Sequence, residues 1–218
     1  MKTKRMLFKM AILVMVFTLS ACSEKQNDED LANSDNTEAK SLNGSTAVQV
    51  LSLTETDSLG LIFMREEEKL ARDAYLVLFS KYNHQVFDNI SQSEQVHTDA
   101  ILRLLNYYNL DDPFIDVIGE FNDPSLAELF NDLMILGDIN LDSALVVGAL
   151  IEETDIEDIA NLASKTEVQN IIQVYGNLIS GSENHLRAFV KDLSNRGIDY
   201  QPRILPADQF NDIINNQN

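Results

Sequence analysis

Of the three histidines in this 218-residue chain, His97 and His185 stand where glutamates can reach the same point. Glu94 and His97 are spaced i, i+3, which on a helix turns both side chains to one face. Glu66, Glu67 and Glu68 form a run and Glu152 and Glu153 a pair, each set within apolar residues at steps of three and four. Carboxylate oxygen with imidazole nitrogen suits iron or manganese, and a single cysteine in the chain gives no thiolate cluster for a softer metal. Burying several carboxylates without cations is costly, so metal binding is the simplest compensation if these groups face inward.

The elements that would position them are helices. From Leu51 onward apolar residues recur at helical spacing, with glycine and proline mostly at the joints. The pattern predicts a first helix from about Ser58 to Ser80 and a second from about Asn89 to Asn109, stopped by Asp111-Asp112-Pro113. A shorter helix follows Asp123-Pro124, cap and first helical residue, and ends near Gly137. A third long helix starts after Asn140, and a fourth runs from near Thr166 to Asn195, where Arg196-Gly197 ends it. Tyr200 to Pro206 reads as an extended tail across the bundle. The result is an all-α domain, a four-helix bundle with one longer connection.

Each long helix carries an ionisable group on its inner stripe. Glu68 shares a face with Met64, Ala71, Tyr75 and Leu78; Glu94 and His97 lie between Ile90 and Ile101; Glu152 lies between Ala149 and Ile156; His185 lies between Ser182 and Phe189. Glu94-x-x-His97 is the unit found in carboxylate-bridged di-iron and di-manganese bundles. Other roles fit the same residues. Ser91-Gln92-Ser93-Glu94 is also a capping box, the glutamate run suits a solvated first turn, Glu152-Glu153 suits the edge of a stripe, and a helical histidine is often a satisfied core residue.

The N-terminus points to export. Lys2, Lys4, Arg5 and Lys9 precede an apolar run from Met10 to Leu19, and Ser20-Ala21 stand before the chain's only cysteine, Cys22. Leu19-Ser20-Ala21-Cys22 looks like a lipobox, so residues 1–21 are expected to be a lipoprotein signal and Cys22 a lipidated membrane anchor rather than a nucleophile. Residues 22–50 then form a polar tether, 51–205 the helical domain and 206–218 a C-terminal tail. Ser23 after the cysteine favours the outer membrane in a two-membrane bacterium. Removing the signal's four cations takes the formal net charge from −19 to −23, which argues against nucleic acid as a partner. With no second cysteine, the core holds the domain without disulfides.

Four segments in order resemble the bacterial and archaeal ferritin-like proteins grouped as domain of unknown function 2202. They are Met-Arg-Glu-Glu-Glu-Lys-Leu-Ala-Arg-Asp-Ala-Tyr (64–75), Ser-Glu-Gln-Val-His (93–97), Val-Gly-Ala-Leu-Ile-Glu-Glu-Thr-Asp-Ile (147–156) and Gly-Ser-Glu-Asn-His-Leu-Arg-Ala-Phe (181–189). The resemblance implies a ferritin-like four-helix bundle with an extra short helix between the second and third long ones, and a dinuclear iron or manganese site. Carried over, its ligands fall on Glu68, Glu94, His97, Glu152 and His185. Tyr75 follows Glu68 by seven residues, the spacing of a ferritin tyrosine near the metal, which selects Glu68 over Glu67. Ser182 stands where a full fourth-helix Glu-x-x-His would place its glutamate. Four outcomes stay open: two metals held less symmetrically, recruitment of Glu153 or Asp155, a single metal, or a vestigial site. Asn184 and Arg187 are expected to orient a ligand, or Arg187 to pair with Asp73 or Glu153.

Two functions follow. One is an anchored metal protein reacting iron or manganese with oxygen or peroxide in a di-iron oxidoreductase manner, with Tyr75 as electron donor. The alternative is a non-catalytic, surface-displayed helical binding module with a vestigial site. Convergence of the five ligand candidates on one point separates them.

Overall fold

In a computed structural model of the chain, residues 53–216 are described; the expected signal (1–21), Cys22 and the expected tether lie outside them. Among the described residues there are six helices and no strand. They are α1 (Glu55–Tyr82), α2 (Gln85–Tyr107), α3 (Pro124–Gly137), α4 (Leu141–Ala163), α5 (Gln169–Asn195) and α6 (Ala207–Asn215). None is long and apolar enough to cross a membrane.

Local chemistry sets several of the boundaries. Thr54 and Asp57 form a reciprocal capping box, with Asp57 N donating to Thr54 Oγ1 (3.0 Å) and Thr54 N donating to Asp57 Oδ2 (2.9 Å). Asn83 ends α1 in the left-handed region at φ 48°, and Asp123 and Asn140 cap α3 and α4 through their side chains. Gly197, at φ 78°, supplies the turn after α5 that the sequence anticipates.

Three readings need correction. Helix α2 begins at Gln85, four residues earlier than periodicity indicates, so Ser91-Gln92-Ser93-Glu94 lies inside the helix and is not a capping box. Ser91 Oγ instead donates to Asp88 O at 2.9 Å. Helix α5 begins at Gln169 rather than near Thr166. The segment beyond Pro206 is not plain tail. It forms α6, which rests on α5 with Phe210 and Ile213 buried.

The four long helices touch in a ring: α1 with α2 and α4, and α5 with α2 and α4. Their apolar residues form two separate clusters. One holds Tyr75, Leu78, Phe87, Leu145, Leu186 and Phe189, and reaches α3 and α6. The other holds Leu61, Met64, Ile101, Leu105, Ile159 and Tyr175. Along every long helix the residues between the clusters are polar and buried: Glu67 and Glu68, Glu94 and His97, Glu152 and Asp155, Ser182 and His185. A polar layer thus divides the core at mid-height.

The connection between α2 and α3 is clamped to α1. Arg65 pairs with Asp112 through Nε–Oδ1 (2.9 Å) and Nη2–Oδ2 (3.0 Å) and donates to Thr98 O (2.8 Å). Lys69, fully buried, pairs with Asp73 and donates to Val117 O (2.9 Å) and Glu120 O (3.1 Å). Arg65 and Arg72 lie over the Phe114 ring at 4.4 and 5.0 Å. Glu66 accepts from the backbone N–H groups of Asn122 and Asp123. It therefore holds this connection and stands apart from the polar layer.

Candidate metal centre

Glu68 from α1, Glu94 and His97 from α2, Glu152 from α4 and His185 from α5 meet in the polar layer. The three carboxylates are wholly buried and the two histidines 8% exposed. Their donor atoms form two triads, Glu68–Glu94–His97 and Glu94–Glu152–His185, the atoms of each lying within 4.8 Å of one another. Glu94 belongs to both. His97 Nδ1 is 2.8 Å from Glu94 Oε2 and 3.3 Å from Glu68 Oε2. His185 Nδ1 repeats the arrangement, 2.7 Å from Glu94 Oε1 and 3.3 Å from Glu152 Oε2. The imidazole rings stack at 5.5 Å between centroids.

Distance and direction disagree at Glu94, and the disagreement is informative. Both oxygens are within ion-pair range of an imidazole nitrogen, yet neither meets the geometry of a hydrogen bond. Glu68 Oε1, Glu152 Oε2 and His185 Nδ1 are likewise buried without hydrogen-bond partners. Buried polar atoms are normally satisfied, so such a concentration of exceptions calls for a cause. Lone pairs that converge on a shared space rather than on each other are what a cation requires. The oxygen-and-imidazole donor set fits iron or manganese.

Neighbouring groups hold the donors in place. Ser93 Oγ is 2.9 Å from His185 Nε2, which turns that ring's Nδ1 toward Glu94 and Glu152. The His97 ring lies against Gly181: a Cβ there would stand 2.4 Å from Nε2. Tyr75, fully buried, donates to Glu152 Oε1 at 2.5 Å and contacts Gly148 O at 3.3 Å. Ser182 Oγ donates to Leu178 O at 3.2 Å and offers nothing to the triads.

The electrostatics are those of a tightly packed set of charges. Burial pushes Glu68 up to about 8, with the Glu94 charge adding to it against His97. Burial acts the same way on Glu94, but the two imidazoles outweigh it and hold this carboxyl down at about 2. Burial opposes charge on the histidines, yet Glu68 and Glu94 raise His97 to about 11, and Glu152 and Glu94 raise His185 to about 10. Glu152 is raised by burial despite His185, and Tyr75 is raised by burial and by the Glu152 charge. Without a metal, then, two imidazolium rings hold one carboxylate between them, and cations compete with protons for the layer.

The remaining candidates separate. Asp155 is 1% exposed with Oδ2 unpartnered, and burial followed by the charges of Glu68, Glu67 and Glu152 raises its pKa well above the usual range. It borders the triads without joining either. Glu67 is 3% exposed, also raised well above the usual range by burial and then by Asp158, which lies within hydrogen-bonding reach of it, and it belongs to neither triad. Glu153 is engaged elsewhere, accepting from Tyr200 Oη (2.6 Å) and from the backbone N–H groups of Arg203, Ile204 and Leu205. It anchors the segment before α6 and does not replace the carboxylate missing at Ser182. Asn184 is exposed, and Arg187 donates to Ile213 O and to Asn184, so neither supports a ligand and Arg187 pairs with neither Asp73 nor Glu153. Ser93, Gly181 and Asp158 were not singled out by pattern. For Gly181 a signal existed: glycine inside a helix costs about 1 kcal/mol and marks a close approach.

Among known proteins, the chain is similar to uncharacterized protein MJ0754 of Methanocaldococcus jannaschii, with 47% identity over 163 residues, 74% of this chain and 88% of that protein. The crystal structure of that hypothetical protein superposes with a TM-score of 0.74 at 46% identity, covering 75% of this chain and 94% of the other. The family model described as "Uncharacterized protein domain (DUF2202)" matches residues 57–217, which include all six helices but for the first two residues of α1 and take in both triads, and the chain belongs to that family.

Proposed function

We propose that this is a ferritin-like four-helix metal protein that holds two iron or manganese ions and reacts them with oxygen or peroxide. The observation that carries the reading is the pair of buried triads sharing Glu94. Glu68 and His97 would hold one ion, Glu152 and His185 the other, and Glu94 both. A bound pair of such ions supplies Lewis acidity and electrons for an oxidant. The chain's own contribution is to exclude water with the two apolar clusters, orient His185 through Ser93, and keep a proton at Tyr75 Oη against Glu152. Tyr75, hydrogen-bonded to the candidate ligand Glu152, is assigned as the electron donor. The missing carboxylate at Ser182 leaves the five ligands symmetric about Glu94, so its absence fits two metals as well as one.

Metal content of the purified full chain, supplied with iron and with manganese, tests this directly. Two ions per wild-type chain, and a loss in His97→Ala, are expected. A folded wild type that binds neither ion at any ratio overturns the proposal and leaves a helical binding module.

We also propose that the protein reaches the cell envelope as a lipoprotein anchored through Cys22, on the strength of the residue order before that cysteine. Mass spectrometry should find acyl chains on Cys22 as the first residue, and Cys22→Ala should leave the membrane fraction. An unprocessed or unacylated N-terminus refutes it.

A further inference from the structure

Outside the triads, the buried carboxylates among the described residues fall into two groups. Glu153 accepts from four donors, Asp73 binds Lys69, Arg72 and the Gly119 N–H, and Glu66 takes two backbone N–H groups. These look structural, since every one is satisfied. Glu67 Oε2 and Asp155 Oδ2 have no partner, although Glu67 is 3% and Asp155 1% exposed, and neither is a member of a triad. A leucine would fill such places without leaving a carboxyl oxygen unpartnered, so packing alone does not account for them.

Their placement is ordered. Glu152, Asp155 and Asp158 follow at steps of three along α4, which puts them on one face and raises each about 4.5 Å above the last. Asp158, half-buried, lies within hydrogen-bonding reach of Glu67 from α1. The charges of Glu68 and Glu67 act most strongly on Asp155. Exposure falls along the series from half-buried Asp158 through Glu67 and Asp155 to Glu68, which is wholly buried.

We infer that Asp158, Glu67 and Asp155 form an access route by which a divalent cation passes between α1 and α4 from the surface to the buried centre. The inference rests on the metal reading above. The route holds its cargo weakly by construction, because among the described residues only the two triads bring three donor atoms together. Transit requires binding favourable enough to enter and loose enough to leave.

Stopped-flow mixing of the full chain with Co²⁺, followed by the metal's visible absorption, tests the route in wild type, Glu67→Gln, Asp158→Asn and His97→Ala. Both carboxylate variants should reach the wild-type number of cobalt ions per chain while loading about tenfold more slowly at low salt. His97→Ala should lower the number bound. Asp158 is half-buried, so its variant keeps the test open if Glu67→Gln does not fold. Wild-type loading rates in both variants overturn the route while leaving the centre intact, and so does a lowered final number in Glu67→Gln, which would make Glu67 a ligand. A wild type that takes up no cobalt, iron or manganese removes the centre and the route together.

Discussion

Two glycines five residues apart on α5 allow the centre to be perturbed without its chemistry being touched. A Cβ on Gly181 would stand 2.4 Å from His97 Nε2 and 2.6 Å from Cε1, whereas a Cβ on Gly176 would meet nothing within 4 Å. Ordinary contact begins near 3.4 Å, so Gly181→Ala must push the imidazole back by about 1 Å. Metal–ligand distances tolerate only about 0.2 Å, and misplacing a ligand costs roughly 10- to 100-fold in affinity. Overpacking costs about 1–3 kcal/mol, and replacing a helical glycine by alanine returns about 1 kcal/mol, so Gly181→Ala should lose about 0–2 kcal/mol and remain folded. Gly176→Ala should gain up to about 1 kcal/mol, or about 2–4 °C in Tm. The assay is thermal unfolding of metal-free protein beside metal titration of both variants. Gly181→Ala should lose the ion of the His97 triad while Gly176→Ala binds as wild type. Unchanged number and affinity in Gly181→Ala would refute the claim that His97 Nδ1 is placed by its contact with α5.

Glu94→Gln should abolish binding of both ions, since Glu94 is in both triads, while Glu152→Gln should keep the ion of the His97 triad; metal counting by elemental analysis separates these outcomes from a single shared site. Glu153→Ala leaves Tyr200 Oη and three backbone N–H groups without an acceptor, for a loss of about 3 kcal/mol or more. Trypsin should then cut after Arg203 in the otherwise folded protein, with metal content unchanged. The pH dependence of the metal-free protein follows from the raised groups. The stabilisation from His97 and His185 is complete below their unfolded value of about 6.5 and is lost as pH rises through the folded values of about 11 and about 10. Glu68, raised to about 8, acts in the same direction from about 4.3 upward. Denaturant unfolding should therefore show metal-free stability falling from about pH 5 to 9 and bound metal flattening the slope; a rise over that range would contradict the assigned charge states.

The ligand candidates were legible because each falls on an apolar stripe, where helical periodicity says which way it faces. Glu94 and His97 need only an i, i+3 relation to be placed together, and His185 needs only Ser182 and Phe189 beside it. The glutamate run 66–68 was harder. Neighbours on a helix are about 100° apart, so three in a row must fan out, and sequence does not say which partners await each. The structure gives Glu66 two backbone amides from the connection, Glu67 an aspartate from α4 and Glu68 an imidazole from α2. The role of Glu153 was hidden for the same reason, since its donors come from residues 200–205, about fifty positions along the chain. Helix α6 carries only Phe210 and Ile213 inward, too little to stand out by periodicity, and owes its place to packing against α5.

The segment 64–75 is dense in charge for a reason that the structure makes plain. Met64, Glu67, Glu68, Ala71 and Tyr75 fall on one side of α1, facing the polar layer and its flanking clusters, while Arg65, Glu66, Lys69, Arg72 and Asp73 fall on the other. The second set is spent on the connection between α2 and α3: Asp112, Phe114, Val117, Glu120 and the amides of Asn122 and Asp123. Arg65 also reaches Thr98 O, one residue beyond His97, so a single guanidinium ties α1, α2 and the connection together at the height of the centre. The outer charges thereby fix the rotation of α1 about its own axis, and that rotation decides whether Glu68 or Glu67 faces Glu94. A set of only five candidate ligands has little redundancy with which to correct a misdirected carboxylate. Binding sites need supporting contacts that hold ligands to within fractions of an ångström, and here those contacts lie on the opposite face of the helix that carries the ligand.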